Sequence, residues 1–581
     1  MAEEHISPVL FSTDSLYKLS VSAVAEKFIS FKKYLPYLPE NVLFDLYYQL
    51  YKEKRLCLLG VELSQLDTFS RILKVTDRRI DLLQIFQALM DHDIRVNKEL
   101  VMKYEVCCLD AKDDHIVRRK MINLGLRLGG FLSDAGWYSE SQKVLLACKK
   151  LCLTARQTPQ NWCRTLDCCH KLLHAQAVYC EFRGAAETRE LAVEMVDKLK
   201  TAGCDGANHA ALYAEFSVLF FIRSEYDQAY RWSMEALKQL TPTLPARFTI
   251  DVLRQAAKSC VVKREFQKAG LLIRQAVYLA REVFDINHPK YSDVLIDYGF
   301  YLLNYDSVIN SVAVQKTALE IKKTIFGKTN LHVAIAHEDL AYALYVHDYS
   351  TGKFQQACDH AVKAINIMEK LLPGEHLMLA SAKRVKALIL EEIALDNRPS
   401  VLTDEDLLLQ SECLHLSALQ LAKTAFGERN VQTAKHYGNL GRLYQSMRKF
   451  KDAEAMHLKA ISIKEELLGS EDYEVGLSIG HLASLYNFHM NKYKDAEKLY
   501  LRSIAISLKL FGKSYSGLEY DYRGLLHVYT KLDEYEKVLE YTYTFNHWKE
   551  LRDHAQCDDP PIDLKKRPQP IREVIQAVFS L

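Results

Sequence analysis

A two-residue corner, an apolar side chain followed by Gly or Asp, returns along this chain at an almost fixed interval. It stands at Phe284-Asp285, Phe326-Gly327, Phe426-Gly427, Leu468-Gly469 and Phe511-Gly512; the first two copies are 42 residues apart, and the last three follow at steps of 42 and 43. A period of that length means that each interval is one supersecondary unit, which can bury its apolar face only against the next. Between corners lie two amphipathic helical patterns, as in NLGRLYQSMRKFKDAEAMHLKAISIKEELLG, with Gly441 and Tyr444 on the first helix and Ala453 and Ala460 on the second. Small residues there let two antiparallel helices approach closely, and the aromatic ring fills the gap beside them. The chain has only 22 Gly and 13 Pro in 581 residues, about half of the usual combined share of roughly 12% and too few for turn-rich sheets. The fold class expected is all-α.

Weaker copies extend the pattern upstream through Ala257, Cys260, Ala269 and Ala276, then Phe220, Ala229 and Ala236, then Gly129, Leu132 and Cys148. Downstream, Leu482, Ala483 and Tyr486 pair with Ala496, and Leu525 with Tyr529 opens a last copy. The pattern Leu440-Gly441-x-x-Tyr444 with Ala453 resembles the tetratricopeptide repeat in its long, kinesin-light-chain-like form. That resemblance implies a right-handed superhelical solenoid, with the first helix of every pair lining the concave side. The array should run over 113–545. The interval from Leu372 to Phe426 is too long by about a dozen residues, which places a surface insertion at about 396–410, within DNRPSVLTDEDLLLQ. Four of the thirteen prolines (Pro560, Pro561, Pro568, Pro570) fall in the segment 546–581, so the packed chain should end before that tail.

Other function classes find little support. Lys+Arg 76 against Asp+Glu 74 leaves a net charge of +2, with no electrostatic footprint for nucleic acid. No apolar run reaches 18 residues, and MAEEHISPVLFSTDS lacks the features of a signal peptide, so neither secretion nor a membrane span is expected. Fourteen scattered cysteines read as reduced thiols, pointing to cytoplasm or nucleus. No catalytic residues are found. Gly512-Lys513-Ser514 and Gly327-Lys328-Thr329 lack the glycine a P-loop needs five residues earlier, and His337-Glu338 is followed by Ala341 where a zinc protease has its second histidine. Cys163, Cys168, Cys169, His170 and His174 form the best metal candidate, yet no second Cys/His cluster closes a tetrahedral site. The group reads as helix–helix core, and neither metal nor cofactor is expected.

Residues 1–55 lack the repeat's small-residue spacing, and 56–112 form a helical connector. In SLYKLSVSAV, Leu16, Leu19, Ser20, Ala23 and Val24 make one stripe on a short helix capped by Ser15. This segment resembles the elongin-binding box of cullin-RING substrate receptors, with Ser20 replacing the usual cysteine. Further on, Leu38, Pro39, Val42 and Leu46 fit the cullin-2 box, Pro39 starting a helix on which Val42 and Leu46 share a face. A kinesin light chain would carry a long coiled coil here instead, and no sustained heptad seam occurs.

Both boxes ahead of a repeat array resemble the tetratricopeptide-containing substrate receptors of cullin-2, elongin B and elongin C ubiquitin ligases. The resemblance implies binding to elongin C (with elongin B) and cullin-2, and recognition of substrate protein C-termini with an arginine followed by glycine. The alternative it implies is a microtubule-associated cargo adaptor, peripheral on membranes, for the basolateral sorting signal in the cytoplasmic tail of amyloid precursor protein. The inward-facing residues of the first helices, taken two and three before the small residue and one after it, are Asp297 with Asp293 a turn earlier, Glu338, Asp339 and Tyr342, and Asn439 and Arg442 with Lys435 a turn earlier. Four carboxylates are expected to receive the degron arginine, and Lys435, Asn439 and Arg442 its terminal carboxylate or backbone.

Overall fold

A computed structural model describes residues 15–111, 114–204, 206–349, 351–396, 403–557, 562–563 and 565–581, with the side chains of 555–557 left aside. The described residues are helices and their connections, without a strand. They divide into two compact units.

The first unit comprises residues to Asn161, with 325–327. It holds α1 (Leu16–Glu26), α2 (Phe28–Phe31), a 3-10 turn (Lys32–Tyr37), α3 (Glu40–Lys52), α4 (Leu56–Leu63), α5 (Leu66–Ile72), α6 (Arg79–Asp91), α7 (Val96–Asp110), α8 (His115–Asp134) and α9 (Tyr138–Thr154). Its core is aromatic: Phe86 and Phe131 meet edge to face at 5.2 Å, and Phe69 meets Phe131 at 5.4 Å.

The second unit, from Trp162 onward, is a stack of helix pairs: α10 (Pro159–Val178) and α11 (Phe182–Thr201); α12 (His209–Ile222) and α13 (Tyr226–Lys238); α14 (Ala246–Val262) and α15 (Phe266–Phe284); α16 (Pro289–Asn304) and α17 (Val308–Phe326); α18 (Leu331–Asp348) and α19 (Gln355–Leu371). It continues with α20 (Met378–Leu395) and α21 (Asp404–Phe426); α22 (Val431–Ser446) and α23 (Phe450–Leu468); α24 (Tyr473–Phe488) and α25 (Tyr493–Phe511); α26 (Leu518–Lys531) and α27 (Tyr535–Cys557); and finally α28 (Ile571–Ser580). Small residues seat the pairs as the sequence indicates. A Cβ on Gly441 would come within 2.9 Å of the buried His457 ring on α23, and one on Gly299 within 2.6 Å of Gln315 on α17.

The recurring corner is a helix stop. Gly427, Gly469 and Gly512 follow α21, α23 and α25 at φ 79, 88 and 82°, with ψ near extended, a region that only glycine adopts without strain. Asp285 adopts the same conformation after α15, φ 69° and ψ 166°, and its carboxylate accepts from the Ile286 amide at 2.6 Å.

The stack closes on itself every five pairs. The turn between α12 and α13 meets the start of α22, where Asn430 donates to the Arg223 carbonyl and Gln432 to the Ser224 hydroxyl, both at 2.9 Å. One pair later, Arg264 lies over the Tyr473 ring at 4.4 Å. One pair later again, Asp306 accepts from the Ser516 hydroxyl at 2.7 Å and from Arg552 at 2.5 Å. At the beginning of the seam Phe182 packs on Phe426 at 5.3 Å. Successive superhelical turns therefore touch, and the concave face becomes the wall of a lumen.

Two expectations need correction. Of the insertion at 396–410, only 397–402 lie outside the described residues. Thr403 caps α21 through a reciprocal box with Asp406, and Leu407, 5% exposed, packs on Leu390 and Ala394. The extra residues chiefly lengthen a helix, because LLLQ continues its apolar stripe. The packed chain also does not end before the proline-rich tail. Pro560 and Pro561 lie outside the described residues, but Pro570 caps α28, whose Val574 and Val578 are buried against helices of the α13–α16 region.

Candidate functional site

In the first unit, α1 begins at Ser15, whose hydroxyl accepts from the Lys18 amide at 3.3 Å. Ala25 is its one buried residue, and Leu16 and Leu19 stand 81% and 55% exposed. The Ser20 hydroxyl donates back to the Leu16 carbonyl at 2.8 Å, and Val24 is half-buried. The helix is tied down from its other side by Tyr17, which donates to Asp45 at 2.7 Å, and by Arg55, which donates to the Ala25 carbonyl. Exposed Ile29, Tyr34 and Tyr37 continue the apolar surface along the chain, a signal the box pattern does not include.

The second box divides differently from its sequence reading. Pro39 is exposed and caps α3, while Leu38 and Val42 are half-buried. Leu46 is 2% exposed, in the core of the unit beside Leu43 and Tyr47 on its own helix. It shares a helical face with Val42 and with the buried Leu50, but its own side chain is buried, so it serves this protein's own packing and offers no contact to a partner.

In the second unit, most of the residues the inward rule selects already have partners within the chain. Asp293 binds Lys322 at 2.5 Å, and although burial acts the other way, Lys322 and Arg254 hold its carboxyl far below the usual carboxylate range. Asp297 accepts from Arg254 Nε at 2.7 Å and lies 3.4 Å from Lys258. These two carboxylates are already neutralised by neighbours in the chain. The basic set is likewise engaged: Lys435 pairs with Glu474 at 3.0 Å, and Arg442 with Glu391 at 2.9 Å and with the Tyr345 hydroxyl at 3.0 Å. The expectation that all four carboxylates and both cations stand ready for a ligand is thus corrected, because sequence spacing gives the facing of a residue and not its partner.

What remains unpaired is a smaller group. The Asp339 carboxyl makes no hydrogen bond or ion pair among the described residues, and burial, Glu338 and Asp297 push it up to about 8. Glu338 beside it is also raised by burial, against the opposing pull of Ser381 and Arg384. Among the described residues Arg384 on α20 has no carboxylate within ion-pair distance; its guanidinium lies over the Tyr342 ring at 5.2 Å, and Tyr342 stacks on Tyr345 at 6.1 Å. The Asn439 carboxamide makes no hydrogen bond among the described residues. Arg384 was missed because the overlong interval hid its repeat, yet the same offset counted from Ala387 reaches it. A carboxyl held up to about 8 beside a second raised one, and a cation lying over a ring, are arranged to gain from a ligand of mixed charge.

Within the metal candidate, two cysteines belong to the core and the two histidines face Glu215. Cys168 and Cys169 are fully buried, and His174 lies 3.1 Å from Glu215, with His170 at 3.8 Å. Among the described residues no group of three or more His, Cys, Asp or Glu is placed to hold a metal ion. Among the described residues no helix is long and apolar enough to cross a membrane.

Amyloid protein-binding protein 2 of Mus musculus is 54% identical over 566 residues, which is 97% of this chain and 96% of that protein. The chain belongs to the amyloid protein-binding protein 2 family. The member from Rattus norvegicus gives the same identity and coverage. A tetratricopeptide-repeat family model matches residues 433–474 and 475–514, the two pairs in which corner and small residues are most regular. Among solved structures, one of nearly identical TPR-like repeats from Podosopora anserina is 16% identical and covers 38% of this chain and 97% of that one, at a TM-score of 0.28. The apo form of RapI is 12% identical and covers 67% and 98%, at 0.38. The family member described here is a repeat-built scaffold for binding proteins, and no catalytic family is indicated.

Proposed function

We propose that this chain is the non-catalytic substrate-recognition subunit of a cullin-2, elongin B and elongin C RING ubiquitin ligase, directing bound proteins to proteasomal degradation in cytoplasm and nucleus. The observation that carries the reading is the α1 stripe. Leu16 and Leu19 are presented to solvent on a helix fixed from behind by Tyr17 and Arg55, as a helix built to enter an apolar pocket on elongin C would be. Leu38, Pro39 and Val42 supply the cullin-2 contact. In the lumen, Glu338 and Asp339 take the arginine of a C-terminal degron, glycine lets its backbone lie close to Tyr342, and Arg384 with Asn439 receives the terminal carboxylate. Arg384 replaces Lys435 and Arg442 in that role because both of those cations are already paired.

Burying a leucine side chain contributes roughly 1.5–3 kcal/mol, and Leu16 makes almost no such contribution to its own fold. Leu16→Ser should therefore abolish co-purification of elongin C while leaving the melting temperature within about a degree. Early melting would assign Leu16 to this protein's own core, and undiminished recovery of elongin C would end the reading. The name of the relatives, which speaks of binding an amyloid protein, supports a second role, which we propose to be binding of the sorting signal of amyloid precursor protein in microtubule-linked transport. It would use the same lumen.

A further inference from the structure

The final residues turn away from the last helix pair. Arg552 on α27 is anchored to Asp306, and the chain then returns to the first superhelical turn. The Lys566 carbonyl accepts from Arg281 at 2.8 Å, the Gln569 amide donates to Gln275 at 2.8 Å, and α28 settles on α15. Ile571, Val574, Ile575 and Val578 fall at i, i+3, i+4 and i+7, the spacing of one helical stripe. Val574 and Val578 are essentially inaccessible, while Phe579 and Leu581 stay exposed. Lys238, at the end of α13, stands over the Phe579 ring at 5.9 Å.

We propose that α28 is a detachable latch: an amphipathic helix bound in cis to the outer face of α15, tying the second superhelical turn to the first and holding the lumen shut along its seam. The segment is well suited to reversible attachment. A ten-residue helix is not stable alone in water, so it folds only when docked and unfolds when released. Its anchoring surface is two buried valines with flanking isoleucines, far less than the continuous core that joins neighbouring pairs. The short connection from α27 keeps it at high effective concentration, so it rebinds readily. What it fastens is specific, because α27, from which it departs, carries the seam contact of Arg552 with Asp306, and α15, on which it docks, belongs to the first superhelical turn.

Hydrogen exchange on the full chain tests this. The α28 amides should exchange through an opening at least tenfold more frequent than that of α15. Val574→Asp should bring α28 to unprotected rates and speed exchange around Asp306 and Ser516 at least tenfold, with α18 to α23 unchanged. In a full chain cleaved at a protease site engineered within 558–564, a labelled peptide of residues 565–581 should exchange with the bound tail, and the same peptide carrying V574D should not. Equal protection of α28 and α15, or global unfolding of the Val574→Asp chain, would make α28 an integral part of the core and overturn the latch. Release of α28 without faster exchange at the seam would show that it fastens nothing.

Discussion

Asp339 shows how far a residue's facing can be read and where its state cannot. Position on the inner side of α18 follows from the spacing around Ala341. That Asp293 and Asp297 would be claimed by Lys322, Arg254 and Lys258 follows only from the packing of α14, α16 and α17, whose register no periodicity reveals. The result is one acidic side chain with no ion-pair partner among the described residues, held up to about 8 by burial, Glu338 and Asp297 against the pull of Lys322 and Lys258. A guanidinium needs the carboxylate, so binding of a peptide with the arginine-to-glycine end should expel a proton. Affinity should rise with pH up to about 8, by at most tenfold per pH unit, and level off above it, as titration calorimetry in buffers of different ionisation enthalpy would register. For stability the sign is opposite. The folded protein holds a proton that the unfolded chain, with a carboxyl of 3.8, gives up, so stability is lost as pH rises toward 8. Asp339→Asn should accordingly weaken peptide binding and flatten its pH dependence, while raising stability at pH 8 by roughly 0.5–2 kcal/mol. A variant that binds normally would move the arginine pocket elsewhere in the lumen.

Among elements, the helix stops were legible and the other turns were not, for one conformational reason. The stop after each second helix needs φ near 80° with extended ψ, which only glycine adopts without strain, so glycine marks it in the sequence. The turn inside each pair uses φ near 60°, as at Ser224, Arg264, Asp306, Arg448, Asn491 and Asp533, where many polar residues are tolerated and no signature results. Asp285 occupies a glycine-type stop, with partial compensation from its hydrogen bond to the Ile286 amide. Asp285→Gly should therefore stabilise the protein, by about 1 kcal/mol, in denaturant melts. The pairs α20–α21 to α24–α25 carry a different liability. His415, His436 and His457 are buried, and among the described residues both ring nitrogens of His415 and His457 and Nδ1 of His436 have no hydrogen-bond partner. Burial, reinforced by Arg384, Lys435, Arg442 and Lys464, lowers His436 and His457 to about 3, and His415 and His481 are lowered as well. The unfolded chain takes up protons near 6.5 that the fold refuses, so stability falls as pH drops from about 6.5 toward 3. Hydrogen exchange at pH 5 should show α21 to α24 opening before α12 to α15.

At the scale of the whole second unit, the repeat period implied a superhelix but not its pitch. Closure every five pairs depends on polar contacts such as Gln432 with Ser224 and Asp306 with Ser516, between residues 208 and 210 apart in sequence. No local pattern announces a partner at that distance. The consequence for recognition is topological. An open groove accepts a peptide laid in from the side, whereas a lumen with joined turns admits a chain by its end, so a C-terminal residue can reach Arg384 and Asp339 while a loop of a folded protein cannot. A protein with a flexible linker ending in arginine-to-glycine should bind, and the same linker followed directly by a second folded domain should lose binding by at least a hundredfold, even though every recognised side chain remains. Loss of the terminal carboxylate alone would also weaken binding, so the discriminating comparison is a linker that is extended by a few unstructured residues and ends freely. If steric threading governs entry, that extension should retain more binding than the domain fusion, because its end still passes through the lumen. Equal loss for both would place recognition wholly on the carboxylate, and retained binding by the domain fusion would mean that the seam opens widely enough to admit ligands from the side.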